Sequence, residues 1–360
     1  KLPTAKPAPG DRYLVARTAN GSYNDLAQPE MGMAGTRFGR NVPLAEASVD
    51  QKNLLKPNPR LISSKLLKRD AFIPATILNL HAASWIQFQT HDWFSHGDNQ
   101  PDAHISIPPE HPAPGEPAGQ KFDVAKTIKD PSRADDNTRP ATFVNEVTHW
   151  WDASQLYGSD EEMVDRLRSH TDGKMLIGED GLLPLDEFSG IDLVGFPGSA
   201  GGWWIGLSML HTLFLKEHNV ICDRLKQRYP SWKDDKLFDQ ARLINSALLA
   251  KIHTVEWTPA ILPNPATQIA MNANWWGLLG KDVKKLTGHI GDDELISGIV
   301  GSATDHHGTP YYLTEEFVSV YRMHPLIPDE INFYSHRSGE HISTQDFPDV
   351  FGMRTRQAMA

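Results

Sequence analysis

The 360 residues carry 35 basic and 45 acidic side chains, a formal net charge of −10. That balance excludes the basic surface a nucleic-acid partner requires. With 39% hydrophobic and 22% charged residues, the chain has too much apolar content for wholesale disorder and enough for a large core.

In chain order, residues 1–60 are rich in Pro, Gly and Asn without a long amphipathic period, and read as an extended arm wrapped over a core. Residues 61–95 turn helical, ending in Ala82-Ala83-Ser84-Trp85-Ile86-Gln87-Phe88 and beyond. Residues 97–140, with Pro101, Pro108, Pro109, Pro112, Pro114, Pro117, Pro131 and Pro140, read as one long loop. Ser159-Asp160-Glu161-Glu162 is a capping signal for a short helix ending near Ser169. Residues 174–184 fit a small hairpin around Asp180-Gly181. Residues 204–228 and 232–261 carry helical periodicity, with Ser231 to Asp234 as an N-cap. Thr314-Glu315-Glu316 opens another helix. Strand signals are few, and the reading is a mainly α fold with long loops and little β structure.

Cys222, the single cysteine, forms no internal disulfide and reads as a packed small residue. No apolar run approaches the roughly 20 residues of a membrane span. Lys1-Leu2-Pro3 opens no signal-peptide pattern, and the absent initiator Met points to a missing native N-terminal stretch. Localisation stays open between soluble and peripherally membrane-associated.

Four constellations carry chemistry. In Gln87-Phe88-Gln89-Thr90-His91-Asp92-Trp93, Gln87 and His91 are i and i+4 on one helix face, an arrangement suited to handling the proton of a bound peroxide. The alternative is a core His beside a surface Asp. In Thr148-His149-Trp150-Trp151-Asp152-Ala153-Ser154, oxygen donors alternate: Thr148, the Trp150 carbonyl, Asp152 and Ser154. A hard cation such as Ca²⁺ takes six to eight oxygens, and Asp92 would add a second carboxylate. The alternative is a Trp-rich core segment with an ordinary Asp-Ser turn. In Tyr321-Arg322-Met323-His324-Pro325, Tyr321 and His324 are i and i+3, one helical turn apart, or else a helix end with a polar Tyr and an exposed His. In Lys251-Ile252-His253-Thr254-Val255-Glu256-Trp257-Thr258, an imidazolium at His253 and the Thr258 hydroxyl could hold a carboxylate, or merely pack a helix end.

Each motif alone is modest; their order is specific. The His-Asp pair, then Thr-x-Trp-x-Asp-x-Ser, then Lys216-Glu217-His218-Asn219, then Val320 to His324 resembles the animal-type haem peroxidase superfamily. Tyr321 to Leu326 matches the Tyr-x-x-His-Pro-Leu pattern of the cyclooxygenases. Residues 17–25, 82–88, 250–254 and 313–324 resemble the fatty-acid α-dioxygenases more closely, and the likeness runs from about residue 11 onward.

The resemblance implies roles by motif position. His91 is the distal haem His with Gln87 beside it, His324 the proximal iron ligand, and Tyr321 the radical carrier. Asp92, Thr148, Trp150, Asp152 and Ser154 form a Ca²⁺ site, and His253 and Thr258 help hold the substrate carboxylate. Thr90 stands where some relatives place an Asp that esterifies the haem, and no Cys-x-x-Cys-His is present, which implies non-covalent haem b. The implied domains are the 1–60 arm and a haem peroxidase-like helical domain over 61–360, C-terminally incomplete, because the family's carboxylate-pairing Arg belongs to a later segment. The implied partners are a fatty acid, dioxygen and hydrogen peroxide, with no nucleic acid, and peripheral membrane contact stays compatible. The implied reaction oxygenates the α-carbon of a fatty acid through a tyrosyl radical, giving a 2-hydroperoxy acid. Rival readings are a peroxidase of small donors and a non-catalytic haem or calcium scaffold.

Overall fold

The computed structural model describes residues 4–5, 11–47, 53–110, 119, 122–133, 140–184, 203–291, 293–300, 302 and 310–352. Pro112, Pro114 and Pro117 of the predicted loop lie outside them. The helices in order are α1 Pro59–Ile62, α2 Leu80–Trp93, α3 Ser154–Tyr157, α4 Glu161–Leu167, α5 Ile205–Arg228, α6 Asp234–Ile252, α7 Thr258–Ile261, α8 Pro265–Trp276, α9 Gly280–Thr287, α10 Glu294–Ser297 and α11 Glu315–Val320. A π-helical segment, His253–Trp257, joins α6 to α7. Two antiparallel pairs complete the regular structure: β1 Asn99–Ile107 with β2 Phe122–Thr127, and β3 Glu330–Tyr334 with β4 His341–Asp346. The fold is thus mainly α, as the helical periodicity indicates.

The core is built around α2. Ala82, Ala83, Trp85, Ile86, Phe88 and Trp93 are all buried on it, along with Ser84, Gln89, Thr90 and Asp92. A helix buried on nearly every side shows no single apolar stripe. It packs against α5, α3 and the turn at His324–Leu326. Trp85 and Phe88 meet Phe214 of α5, with ring centroids 5.9 and 5.3 Å apart. Asn79 caps the helix start by accepting the His81 N–H at 3.0 Å. Asp160 likewise accepts from Met163 N at 2.7 Å to start α4, and Thr314 from Phe317 N at 3.2 Å to start α11.

Three local expectations are corrected. The stretch 97–140 is no simple loop: β1 and β2 pair within it, with Ile105 opposite Val124 and Ile107 opposite Phe122. The period-two burial along His104–Ile107 is short, and the flanking prolines mask it. At α6 the cap is Lys233, without a side-chain bond, and the acidic Asp234 and Asp235 occupy the first turn instead. Around Asp180-Gly181 the described residues form a tight turn, Gly178 N to Leu182 O at 3.0 Å, without a named strand pair.

The arm residues 11–47 run as turns with one short 3-10 helix, Arg12–Leu14. They are tied down far along the chain, with bridges Arg37 to Val144 and Gly39 to Thr314. No helix among the described residues is long and apolar enough to cross a membrane.

Candidate active site and cation loop

Asp92, on the last turn of α2, and Asp152 are both buried. Ser154 opens α3 and clamps Asp92: its N–H donates to Oδ1 at 2.6 Å, and its hydroxyl donates to the Asp92 carbonyl at 3.0 Å. Ala153 reaches this position in the left-handed region, φ 61°, a strained setting for a residue with a Cβ. Thr148 Oγ1 lies 3.5 Å from the Trp150 carbonyl oxygen. Both Asp152 carboxylate oxygens are buried without a hydrogen-bond partner; Thr148 and the Ser154 N–H lie on its side but outside hydrogen-bond geometry. Arg242 stands off, its Nη2 3.9 Å from Oδ2.

Burial first, and repulsion from Asp152 second, push the Asp92 carboxyl well above its ordinary range. Burial also raises Asp152, opposed by Arg242 and Arg17. Two buried carboxylates side by side, one with both oxygens unsatisfied, are costly unless something positive sits between them. The donors are all oxygens: two carboxylates, two hydroxyls and a carbonyl. That set fits a hard divalent cation such as Ca²⁺.

The arm closes this loop. Trp150 donates its indole N–H to Met31 O at 3.0 Å and stacks on Tyr311 at 4.3 Å. Gly21, at φ 75°, lies so close that an added Cβ would stand 2.8 Å from the Thr148 side chain. The arm therefore packs directly on the loop at Gly21.

On the neighbouring face of α2, Gln87 Oε1 accepts the Trp204 indole N–H at 2.6 Å, and His91 is partly exposed. His211 of α5, which sequence reasoning passed over, lies near His91. It donates from Nδ1 to Leu207 O at 2.9 Å, and burial, with His91 adding, holds its pKa down to about 3.

The predicted helical face shared by Tyr321 and His324 is corrected. α11 stops at Val320, Tyr321 is its cap at φ −82°, ψ 72°, and His324 opens a separate 3-10 turn. Pro325 is the reason: in a continuous helix it has no N–H to give the Tyr321 carbonyl four residues back, and its ring clashes with that carbonyl. His324 is exposed, and its carbonyl accepts the Ile327 N–H at 3.1 Å. Arg69 fixes its turn by donating to Pro325 O at 3.0 Å and Ile327 O at 2.9 Å. An exposed imidazole on a braced turn that packs against α2 could hold a haem iron.

His253 begins the π-helical segment. An i to i+5 register brings His253 and Thr258 onto one face, and Thr258 donates its hydroxyl to His253 O at 2.8 Å. Four tryptophans surround the imidazole: Trp151 at 5.0 Å, Trp93 at 5.4 Å, Trp257 at 6.0 Å and Trp85 at 6.4 Å between ring centroids. Trp85 Nε1 is 3.2 Å from Nδ1, and the Tyr321 hydroxyl oxygen is 3.4 Å from Nε2. Burial in this cage lowers the His253 pKa to about 4. The expected imidazolium is therefore a neutral imidazole at neutral pH, because indole rings do not compensate the desolvation of a cation here. Burial raises the Tyr321 phenol, with Trp257 opposing.

Lys216-Glu217-His218-Asn219 turns out to brace the fold. Asn219 exchanges two hydrogen bonds with the Met175 backbone, at 2.8 and 3.0 Å. His218 donates to Gly173 O at 2.9 Å and accepts from the Tyr157 hydroxyl at 2.9 Å. Cys222 is buried one turn later, its thiol pushed up to about 12 by burial.

Comparison with known proteins matches residues 16–358 to the family model for animal haem peroxidase. An α-dioxygenase from Oryza sativa subsp. japonica is 41% identical over 322 residues, covering 89% of this chain and 50% of that protein. The crystal structure of Oryza sativa fatty acid α-dioxygenase superposes with a TM-score of 0.85 at 36% identity, covering 97% of this chain and 57% of that one. A Tyr-to-Phe variant of the rice enzyme, solved with palmitic acid, gives a TM-score of 0.85 at 35% identity, covering 99% and 59% of the two chains. The chain spans about half the length of the curated relatives it matches.

Proposed function

From the premise that this chain belongs to the animal haem peroxidase family, we propose that it carries the catalytic half of a fatty-acid α-dioxygenase. In this reading His91 and His324 would hold a non-covalent haem b, His324 as the iron ligand, with Gln87 beside His91. Haem, when bound, supplies the oxidising equivalent drawn from peroxide. His91 moves the peroxide proton, and Gln87, already held by Trp204, orients the oxygens. Asp92, Thr148, the Trp150 carbonyl, Asp152 and Ser154 hold Ca²⁺. Asp92 directly follows His91, so an ion there steadies the turn of α2 that presents the imidazole.

One observation carries the reading: the Tyr321 hydroxyl is 3.4 Å from His253 Nε2. A carboxylate held by His253 has its α-carbon one bond from the head group, and so within reach of the phenol oxygen. Fixing the head group selects that carbon out of a chain of nearly equivalent methylenes. Tyr321, as a phenoxyl radical, takes a hydrogen atom from Cα. Dioxygen adds there, and the resulting peroxyl radical takes the hydrogen atom back from the Tyr321 hydroxyl, giving a 2-hydroperoxy acid and restoring the phenoxyl radical. Thr258 contributes by turning its hydroxyl from the His253 carbonyl toward the carboxylate. Both groups are neutral and cannot neutralise a buried carboxylate. That supports a cation, the expected Arg, supplied from outside these residues. Fatty acids leave water for lipid, so peripheral membrane contact belongs to the same proposal.

The test is oxygen uptake with palmitate by the haem-reconstituted protein and its Tyr321→Phe variant. The variant is expected to lose fatty-acid oxygenation by at least ~100-fold, a general-acid/base-scale effect or larger, while keeping peroxidase turnover of small donors. Oxygenation that survives the substitution removes the radical role. Peroxidase turnover without any oxygen uptake in the unmodified protein would establish the small-donor reading instead.

A further inference from the structure

We propose that Trp85 is a positioning residue that locks His253 in the tautomer with its proton on Nε2, so that the imidazole presents a donor to the Tyr321 oxygen. The Trp85 indole nitrogen is 3.2 Å from His253 Nδ1. An indole N–H donates and never accepts, so Nδ1 must be the lone-pair nitrogen. The other ring nitrogen then carries the single proton of the neutral ring. That nitrogen is 3.4 Å from the Tyr321 oxygen, and the direction of donation runs from Trp85 through His253 to Tyr321.

The lock is built on rigid parts. Trp85 is 7% exposed on α2 and wedged against Phe88 and Phe214, at 6.0 and 5.9 Å. The His253 backbone is held by the Thr258 hydroxyl at 2.8 Å. Burial keeps the ring singly protonated, with its pKa down to about 4. Trp93 and Trp151 stand edge-on to it, at 82° and 75°, and limit its rotation.

Two consequences follow for Tyr321. Its oxygen accepts from His253, so its own hydrogen points elsewhere, and the imidazole is not the base that receives the phenol proton. When a carboxylate occupies the site, the same Nε2–H is directed to it. That last step rests on the function proposed above; the tautomer lock does not.

The experiment is long-range ¹H–¹⁵N correlation of histidine side chains in the ¹⁵N-labelled chain at pH 7, without haem or fatty acid, with His253 assigned through His253→Gln. The expected pattern is a pyridine-type Nδ1 and a pyrrole-type Nε2, with a through-hydrogen-bond ¹⁵N–¹⁵N coupling between Trp85 Nε1 and His253 Nδ1. In Trp85→Phe, which keeps an aromatic ring and loses the donor, the two resonances are expected to move toward the averaged values of exchanging tautomers. A proton found on Nδ1, no coupling in the unmodified chain, or an unchanged pattern in Trp85→Phe overturns the lock. The unmodified spectrum decides the matter even if the variant does not fold. Failure of fatty-acid oxygenation with the lock intact bears only on the proposed function.

Discussion

The Asp92–Asp152 loop and the His253–Tyr321 cage are both buried polar sites on the flanks of α2, and they handle burial in opposite ways. The cage is neutral: Trp85 donates to His253, which faces the Tyr321 oxygen, Thr258 is bonded to the backbone, and the groups left without a partner, the Trp93 and Trp257 indole N–H, carry no charge. The loop is charged and left open, with both Asp152 oxygens lacking a donor. A site that holds a permanent ion must be incomplete without it. A site that binds a transient substrate must be tolerable when empty. The contrast fits the proposal of a structural cation site and a reaction site, and it can be broken or sharpened by experiment.

The largest effect is expected from Asp152→Ala. Removing this carboxylate strips the buried Arg242 of its ionic partner, an effect larger than the relief of its repulsion on Asp92. That should cost about 3–5 kcal/mol, abolish calcium binding by calorimetry and lower haem retention in the Soret band. Unchanged haem occupancy would break the link between loop and reaction site. A smaller loss is expected for Gly21→Ala, where a Cβ at φ 75° meets Thr148 at 2.8 Å. It should cost roughly 1–3 kcal/mol of strain and weaken calcium affinity, leaving the His253 resonances in place. If those resonances move and calcium affinity does not, the arm serves the cage and not the loop.

A third expected effect is in pH dependence, where His253 of the cage and the two carboxylates of the loop have opposite signs. Burial holds His149, His218 and His253 down to about 4 and His211 to about 3. Between those values and the ordinary 6.5 the unfolded chain binds more protons. Their contribution is therefore full above pH 6.5 and lost as pH falls toward 4. The raised Asp92 and Asp152 do the reverse without metal, because the folded state then takes up protons that the unfolded chain does not. With calcium bound they are held ionised, and acid must displace the ion. Urea midpoints should therefore fall on acidification from about pH 7 to 4.5, more steeply in excess calcium than in chelator. Equal slopes would mean that the loop binds no cation.

The residues of the site were legible in the sequence to an uneven degree. Gln87 and His91 share a helix face, as their spacing requires, because α2 is regular there. The spacing of the oxygens in residues 148–154 was legible, but the bends at 149–152 and the left-handed Ala153, which set where they point, were not. The pairing of Tyr321 with His324 was misread as helical, although Pro325 was there to signal the break. The neutral state of His253 was not legible at all: Trp85, Trp93, Trp151 and Trp257 come from three separate stretches of chain, and only packing brings them round one ring.

By itself the amino-acid sequence determined the helical architecture, the order of the motifs and the kinds of atoms each could offer, since periodicity, capping and side-chain chemistry are local properties. Tertiary structure alone decided protonation, tautomer and which carboxylate lacks a partner. Those depend on desolvation and on donors far away in sequence, and both arise only when distant segments close over the same atom.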